Sequence, residues 1–183
     1  MQTPSNEELM VNVREGDLAA FEQLVRRNQT WAWRIAYRFL GHEQDAEDVV
    51  QDAFIRLLDA SWRYRPTATF KTYFYRVITR LCLDRAKKKQ PLCLETIPDS
   101  PDPRPGVADA MMGRETAVTV RAALDGLPPN QRMAIVLRYY EDLNYEEIAS
   151  SLETTTKGVE GLLARGRERL QAILGNRDDF FHS

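Results

Sequence analysis

Residues 91–106 read PLCLETIPDSPDPRPG, with prolines at Pro91, Pro98, Pro101, Pro103 and Pro105 and the turn-forming Asp99, Ser100 and Asp102 between them. Proline lacks an amide N–H and fixes φ, so this stretch can neither continue a helix nor pair within a sheet. It predicts a linker, taken as 91–115, dividing the chain into a part at 1–90 and a part at 116–177. On both sides apolar residues recur at spacings of three and four, while strand-like alternation is almost absent. The expected fold class is therefore all-α, as two small helical domains. A chain of 183 residues allows one medium domain or two small ones, and small domains bury less of their surface, so each would be marginal alone.

Working outward, the upstream part shows several helix boundaries. Ser5 and Glu8 have capping-box spacing, and Asp17 is placed to cap a helix carrying Leu18, Phe21, Leu24, Val25, Ala32, Ile35, Ala36 and Phe39 on one stripe. Gly41 ends it. A third helix from about Asp45 is expected to bury Ala46, Val49, Val50, Ala53, Phe54, Leu57 and Leu58, and a fourth Phe70, Tyr73, Phe74, Val77, Ile78 and Leu81. Downstream, Leu127-Pro128-Pro129 opens a helix through Met133, Ile135, Val136, Leu137 and Tyr140, since proline suits a first turn. Asn144 and Glu147 then form a second capping-box pattern before Ile148, Ala149 and Leu152. A turn at Glu153–Thr155 follows, and a helix with Val159, Leu162 and Leu163 inward, the spacing of a helix-turn-helix. Its outer face carries Lys157, Glu160, Ala164 and Arg165 toward a DNA major groove, with Arg167 and Arg169 available to phosphates.

The net charge of -2 and pI near 5.8 give no global sign of a nucleic-acid binder, but the charge is not evenly spread. From Arg63 to Lys89 nine basic residues stand against Asp84, a local +8, while from Glu43 to Asp59 six acids stand against Arg56, a local −5. Solvated faces that pair with each other are the plain reading of such runs. Against it, the basic stretch is interleaved with Trp62, Tyr64, Phe70, Tyr73 and Tyr75. Cations that hold phosphates beside rings that stack on unpaired bases are what single-stranded nucleic acid requires. Trp62 and Tyr64 precede the fourth helix in a loop ending at Arg65-Pro66 and are expected to be the freer rings.

Hydrophobic residues at 43% and charged residues at 28% exclude wholesale disorder and disulfide scaffolds. Cys82 and Cys93 form no Cys-x-x-Cys pair, and His42 and His182 are isolated, so thiol redox chemistry and a metal site are not expected. Asn28-Gln29-Thr30 matches a glycosylation triplet that is common by chance. No signal-peptide pattern opens the sequence, and apolar runs such as Ala134–Leu137 are far too short to cross a bilayer. A cytoplasmic protein with no membrane insertion, no phosphate-binding glycine loop, no cofactor and no catalytic residues is expected, which makes an enzyme the least supported class.

Taken together, Asp45–Leu57 (DAEDVVQDAFIRL), Phe70–Val77 (FKTYFYRV) with Asp84-Arg85, and Leu127–Arg132 (LPPNQR) through Arg169 resemble the sigma factors of bacterial RNA polymerase. The resemblance is to the small extracytoplasmic-function (ECF) group of the sigma-70 family and covers nearly the whole chain. It implies a promoter-specificity subunit with region 2 at 1–90 and region 4 at 116–177. By that resemblance Glu47, Asp48, Gln51, Asp52 and Ile55 dock the polymerase core, its β and β′ subunits, where acids complement a basic surface. Trp62, Arg63, Tyr64, Arg65, Lys71, Tyr73, Arg76, Arg80, Arg85, Lys87 and Lys88 match the surface that captures the non-template strand of the −10 element, with an extruded base held near 64–69. Thr156, Lys157, Glu160, Ala164, Arg165, Arg167 and Arg169 match the −35 reader. The linker is implied to pass through the polymerase toward its RNA exit path, and an anti-sigma partner is implied as well.

Four departures from the family pattern bear on specificity. Tyr73 stands where Trp is frequent, and Arg80 where Asn is frequent. Glu153 takes a turn position usually given to Gly, where positive φ strains a side chain. Gly158, Glu160, Gly161 and Leu162 leave fewer polar groups facing the groove, so −35 reading is expected to rest on phosphate contacts and DNA shape. Two other classes account for less. A stand-alone helix-turn-helix regulator needs a dimer interface and a palindromic site, and an anti-sigma-like adaptor leaves Arg63–Lys89 unexplained.

Overall fold

The structure is a computed structural model that describes residues 3–65, 69–89 and 114–175. The expected linker lies outside the described residues, except at 114 and 115, where a helix has already begun. Among the described residues every regular element is helical: α1 (Asn6–Arg14), α2 (Leu18–Leu40), α3 (Glu43–Ala60), a 3-10 turn (Ser61–Arg63), α4 (Phe70–Lys89), α5 (Arg114–Asp125), α6 (Pro129–Tyr139), α7 (Tyr145–Leu152) and α8 (Thr156–Leu174).

The boundaries fall where the local chemistry requires them. Ser5 accepts from the Glu8 amide and Glu8 accepts from the Ser5 amide, a reciprocal cap on α1. Asp17 accepts from the amides of Ala19 and Ala20 at the head of α2, and Gly41 closes that helix at φ 71. Pro129 opens α6, and Asn144 with Glu147 forms the second capping box. Asn28, within the glycosylation triplet, is buried and bonded to the Leu24 carbonyl and the Trp31 indole.

Helices α1–α4 pack as one bundle around Leu24, Ile35, Phe39, Leu57, Phe70, Phe74 and Ile78, and α5–α8 as a second around Met133, Leu137, Ile148, Val159 and Leu163. Two expected core positions are open. Leu18 lies at the first turn of α2 and is 71% exposed, and Leu58 is exposed near the end of α3. In α4, Tyr73 and Val77 are half-buried, whereas Tyr75 is only 2% exposed. Its burial follows from a second packed face. The two bundles touch: α7 packs along α4, and α6 packs against α2 and α4.

Glu153 adopts φ 52, ψ 46 between α7 and α8, the left-handed conformation its position demands. A β-carbon there costs about 1–2 kcal/mol, which glycine removes. Part of that gain, about 0.4–1 kcal/mol, is offset by the extra freedom glycine has when unfolded. Glu153→Gly is expected to stabilise the chain by about 0.5–1 kcal/mol, seen as a rise of roughly 1–4 °C in Tm. An unchanged or lowered Tm would show the strain relieved by contacts of the glutamate.

Candidate nucleic-acid interface

The head of α4 is set by two caps. Thr69 Oγ1 accepts from the Thr72 amide at 3.2 Å, and Glu7, reaching over from α1, accepts from the Phe70 amide at 2.6 Å. The amino-terminal helix thus fixes where α4 starts. Beside this junction Arg14, Trp62, Arg63, Tyr64 and Arg65 line an open cleft of about 450 Å³. Trp62 is 63% exposed, with the Arg63 guanidinium 4.0 Å from its ring centre. A ring and three guanidiniums at one opening suit a stacked base with its flanking phosphates.

Tyr64 departs from expectation. It is buried, meets Tyr73 edge-on at 6.3 Å, and its hydroxyl has no partner; burial, then Glu7, raises its pKa. Tyr64 is a wall of the cleft rather than a free ring, and Trp62 belongs to the 3-10 turn rather than a loop. Arg14 is the residue that sequence reasoning missed, since only the fold brings α1 to Trp62.

Along α4, Lys71, Arg76, Arg80, Lys87 and Lys88 are exposed. Arg85 is different. Its Nε and Nη2 donate to Asp45 Oδ1 at 3.0 and 2.7 Å, and Nη2 also donates to Asp48 Oδ2 at 2.8 Å. The hydrogen bonds to Asp45 raise its pKa above the ordinary guanidinium value, with burial opposing. The structure therefore joins a residue matched to DNA with one matched to the polymerase core. Tyr75, expected among the stacking rings, is turned to the second bundle, where its hydroxyl donates to Glu141 at 3.0 Å; burial, then Glu141, raises its pKa and keeps it a donor.

On α3, Glu47, Gln51 and Asp52 are exposed, and Ile55 is 50% exposed. An open apolar side chain flanked by acids is the make-up of a protein-docking face. On α8, Thr156, Lys157, Glu160, Ala164, Arg165 and Arg169 are exposed, and Arg167 is half-buried. Val159 and Leu163 point inward as expected, with Leu162 half-buried. Thr155 caps this helix by accepting from the Gly158 amide at 3.0 Å. Gly166 brings α8 against α6, since a β-carbon there would meet Ile135 at 3.1 Å. Among the described residues no cluster of His, Cys, Asp and Glu could hold a metal ion, and no helix is long and apolar enough to cross a membrane. Cys82 is fully buried, which pushes its thiol pKa well up and away from redox reactivity. Cys93 and His182 lie outside the described residues.

Comparison with known proteins agrees with this layout. Family models for sigma-70 region 2 and sigma-70 region 4 match residues 24–91 and 117–170. The ECF RNA polymerase sigma factor SigE of Mycolicibacterium smegmatis is 35% identical across 87% of the chain, which spans 64% of that relative's length. SigW of Bacillus subtilis is 30% identical, covering 88% of the chain and 92% of the relative. SigM of Mycobacterium tuberculosis is 32% identical, covering 93% and 85%. Among solved structures, CnrH in complex with the cytosolic domain of CnrY superposes with a TM-score of 0.69 at 26% identity, covering 95% of this chain and 99% of that one. The helical order, the two matched regions and the relatives converge: the chain is an RNA polymerase sigma factor of the ECF group within the sigma-70 family.

Proposed function

We propose that the chain binds core RNA polymerase through the acidic, partly apolar face of α3, captures melted −10 DNA at the cleft and outer face of α4, and reads the −35 element with α8. The observation that supports this division most directly is the cleft at the α1–α4 junction, where an exposed tryptophan and three guanidiniums converge. No step is catalysed by the chain. Strand separation is driven by binding: phosphate contacts and base stacking are gained only with the strands apart, while the polymerase forms the RNA. We assign Arg14 to the cleft as a phosphate contact, and leave Arg85 out of the DNA surface because its Nε and Nη2 are committed to Asp45 and Asp48. An anti-sigma partner, the cytoplasmic location and the domain limits 1–90 and 116–177 belong to the same proposal. The sigma factor RpoE of Bartonella quintana was solved with the anti-sigma factor NepR, and CnrH with the cytosolic domain of CnrY.

Reconstitution tests the reading. Added to sigma-free core polymerase with a pool of bacterial promoter fragments, the purified chain is expected to yield discrete transcripts. Tight binding to a duplex site with no activation of core would instead favour the stand-alone regulator. Within that assay, Asp52→Lys with Ile55→Ser is expected to weaken core binding by roughly 10- to 100-fold, as for loss of a central apolar contact and a charge pair. Binding of single-stranded DNA by the same variant should be unchanged. Equal loss of both would undo the division of labour between α3 and α4.

A further inference from the structure

Gly158, Gly161 and Gly166 all stand on α8. A glycine inside a helix gives up stability relative to alanine, because its bare backbone is freer when unfolded. For two of the three the reason lies within the protein. A β-carbon on Gly166 would meet Ile135 of α6 at 3.1 Å, and one on Gly158 would meet the Thr154 hydroxyl at 2.6 Å, beside the Thr155 cap. Gly161 is different. The atoms nearest to a β-carbon there are Nη1, Nη2 and Cζ of Arg165, at 3.2, 3.5 and 3.6 Å. At 3.2 Å the guanidinium could not keep its place beside a side chain.

Arg165 thus lies against the turn before it, in the space that a residue larger than glycine would fill. Long helical side chains lean toward the N-terminus over the preceding turn, and four residues of rise carry this one about 6 Å toward the head of α8. That end of the second helix is where a helix-turn-helix meets base edges. The lean also takes Arg165 away from Glu168 on the following turn. Among the described residues its guanidinium enters no ion pair or hydrogen bond, and the residue is exposed. Its N–H donors are therefore unspent, held in place by packing alone.

We propose that Gly161 is a positioning residue for −35 recognition, whose bare turn seats the Arg165 guanidinium along the head of α8 so that it reads a guanine edge rather than a phosphate. The inference rests on the reading of α8 as the −35 helix. An arginine that donates to O6 and N7 of guanine does so with two N–H groups in one plane, and such a fork must be aimed. A backbone bed under one side leaves the other side to the base. The missing side chain at 161 is then part of the reader, although it removes a polar group from the groove face.

The test uses holoenzyme assembled on core polymerase and a pool of bacterial promoter fragments randomised around −35, with the bound fraction sequenced. The parent is expected to prefer guanine at one position of the randomised block. Arg165→Ala should reduce that preference roughly 5- to 150-fold, the worth of one bidentate base contact. Gly161→Leu fills the place of the guanidinium and should reduce the same preference at the same position to a similar extent. Gly161→Ala should reduce it roughly threefold, since a methyl group moves the guanidinium by only a few tenths of an ångström. Stability moves the other way: both substitutions gain helix propensity, and Tm should rise by about 2–4 °C, which separates lost reading from lost structure. In the Arg165→Ala background, Gly161→Ala should change the profile no further. The proposal is overturned if Gly161→Leu leaves the profile as in the parent, or shifts a position other than the one lost in Arg165→Ala. It is overturned equally if Gly161→Ala acts as strongly without Arg165, or if Arg165→Ala weakens all sequences alike, as loss of a phosphate contact would. A parent with no base preference anywhere in the block would instead count against α8 as the −35 reader, and with it the seating of Arg165.

Discussion

Replacing Trp62 with alanine is expected to lower affinity for single-stranded DNA roughly 5- to 150-fold while leaving the fold intact. The range follows from about 1–3 kcal/mol for stacking one base on an aromatic ring, at 1.4 kcal/mol per tenfold. The indole is 63% exposed and sits at the mouth of the cleft with Arg63 over its ring. Truncating a side chain that exposed moves stability by about 0.5 kcal/mol or less, so a Tm held within a few degrees would separate lost stacking from lost structure. Trp62→Phe keeps a ring and should recover most of the affinity. Binding of core polymerase should not change, because Trp62 belongs to the 3-10 turn and not to the exposed face of α3 that carries Asp52 and Ile55. Fluorescence anisotropy with a labelled oligonucleotide and competition for core are the two measurements. Parent-like DNA affinity in Trp62→Ala would mean that bases are not stacked at this cleft, and the −10 surface would have to lie on the exposed length of α4 alone.

What could be read from the sequence is what local chemistry fixes. Ser5 with Glu8, Asp17, Gly41, Pro129 and Asn144 with Glu147 act within a few residues of themselves, so their roles survive folding unchanged. Glu153 belongs with them, since its positive φ follows from the turn between α7 and α8. The harder residues lie on α4, which has two buried faces rather than one. A single apolar stripe accounts for Phe70, Phe74 and Ile78, but Tyr75 lies between Trp31 of α2, 5.0 Å away, and Glu141 of a bundle that begins some forty residues further along the chain. Periodicity records how much of a helix is apolar and has no access to which distant element covers it. Tyr64 was missed for a related reason: a ring next to arginines looks free until the fold packs it against Tyr73.

The charge pattern is legible only in part for the same reason. The basic and acidic runs are adjacent in sequence and read as separate surfaces for separate partners, and for Lys87, Lys88, Glu47 and Asp52 their exposure is compatible with that. Arg85 and Asp48 are thirty-seven positions apart, yet α3 and α4 lie side by side and bring them to 2.8 Å. Part of the dipole is therefore spent inside the first bundle. The contacts that join the two bundles, Arg121 to the carbonyls at the end of α2 and Glu141 to Arg38 and Tyr75, have no sequence signature, because in each a lone charge meets backbone carbonyls or side chains far away in the chain.

Loss of Arg85 is accordingly expected to show first as loss of stability. The Asp45 side chain is only 7% exposed and accepts two of its bonds from this one guanidinium. Breaking a buried pair by removing one partner costs about 3–5 kcal/mol, because the remaining charge is left in a poorly solvating site. The Arg85 side chain itself is 35% exposed, so water can enter the vacated space, and about 2–3 kcal/mol is the expected cost of Arg85→Ala. For a chain of this size that is a fall of roughly 4–12 °C in Tm. Arg85→Lys keeps the charge but not the fork that meets Asp45 and Asp48 together, and should recover only part of the loss. Removing both charges, as Arg85→Met/Asp45→Asn, leaves no stranded carboxylate and is expected to be more stable than Arg85→Ala alone, a coupling that a double-mutant cycle reads directly. If Arg85 is held in this way, its removal leaves the salt dependence of DNA binding unaltered at temperatures where the variant is folded. Lys87→Ala/Lys88→Ala, on the exposed end of α4, should instead reduce the slope by about one to two phosphate contacts. A shallower slope in Arg85→Ala together with an unchanged Tm would return Arg85 to the DNA surface and leave the close pairing with Asp45 without an energetic role.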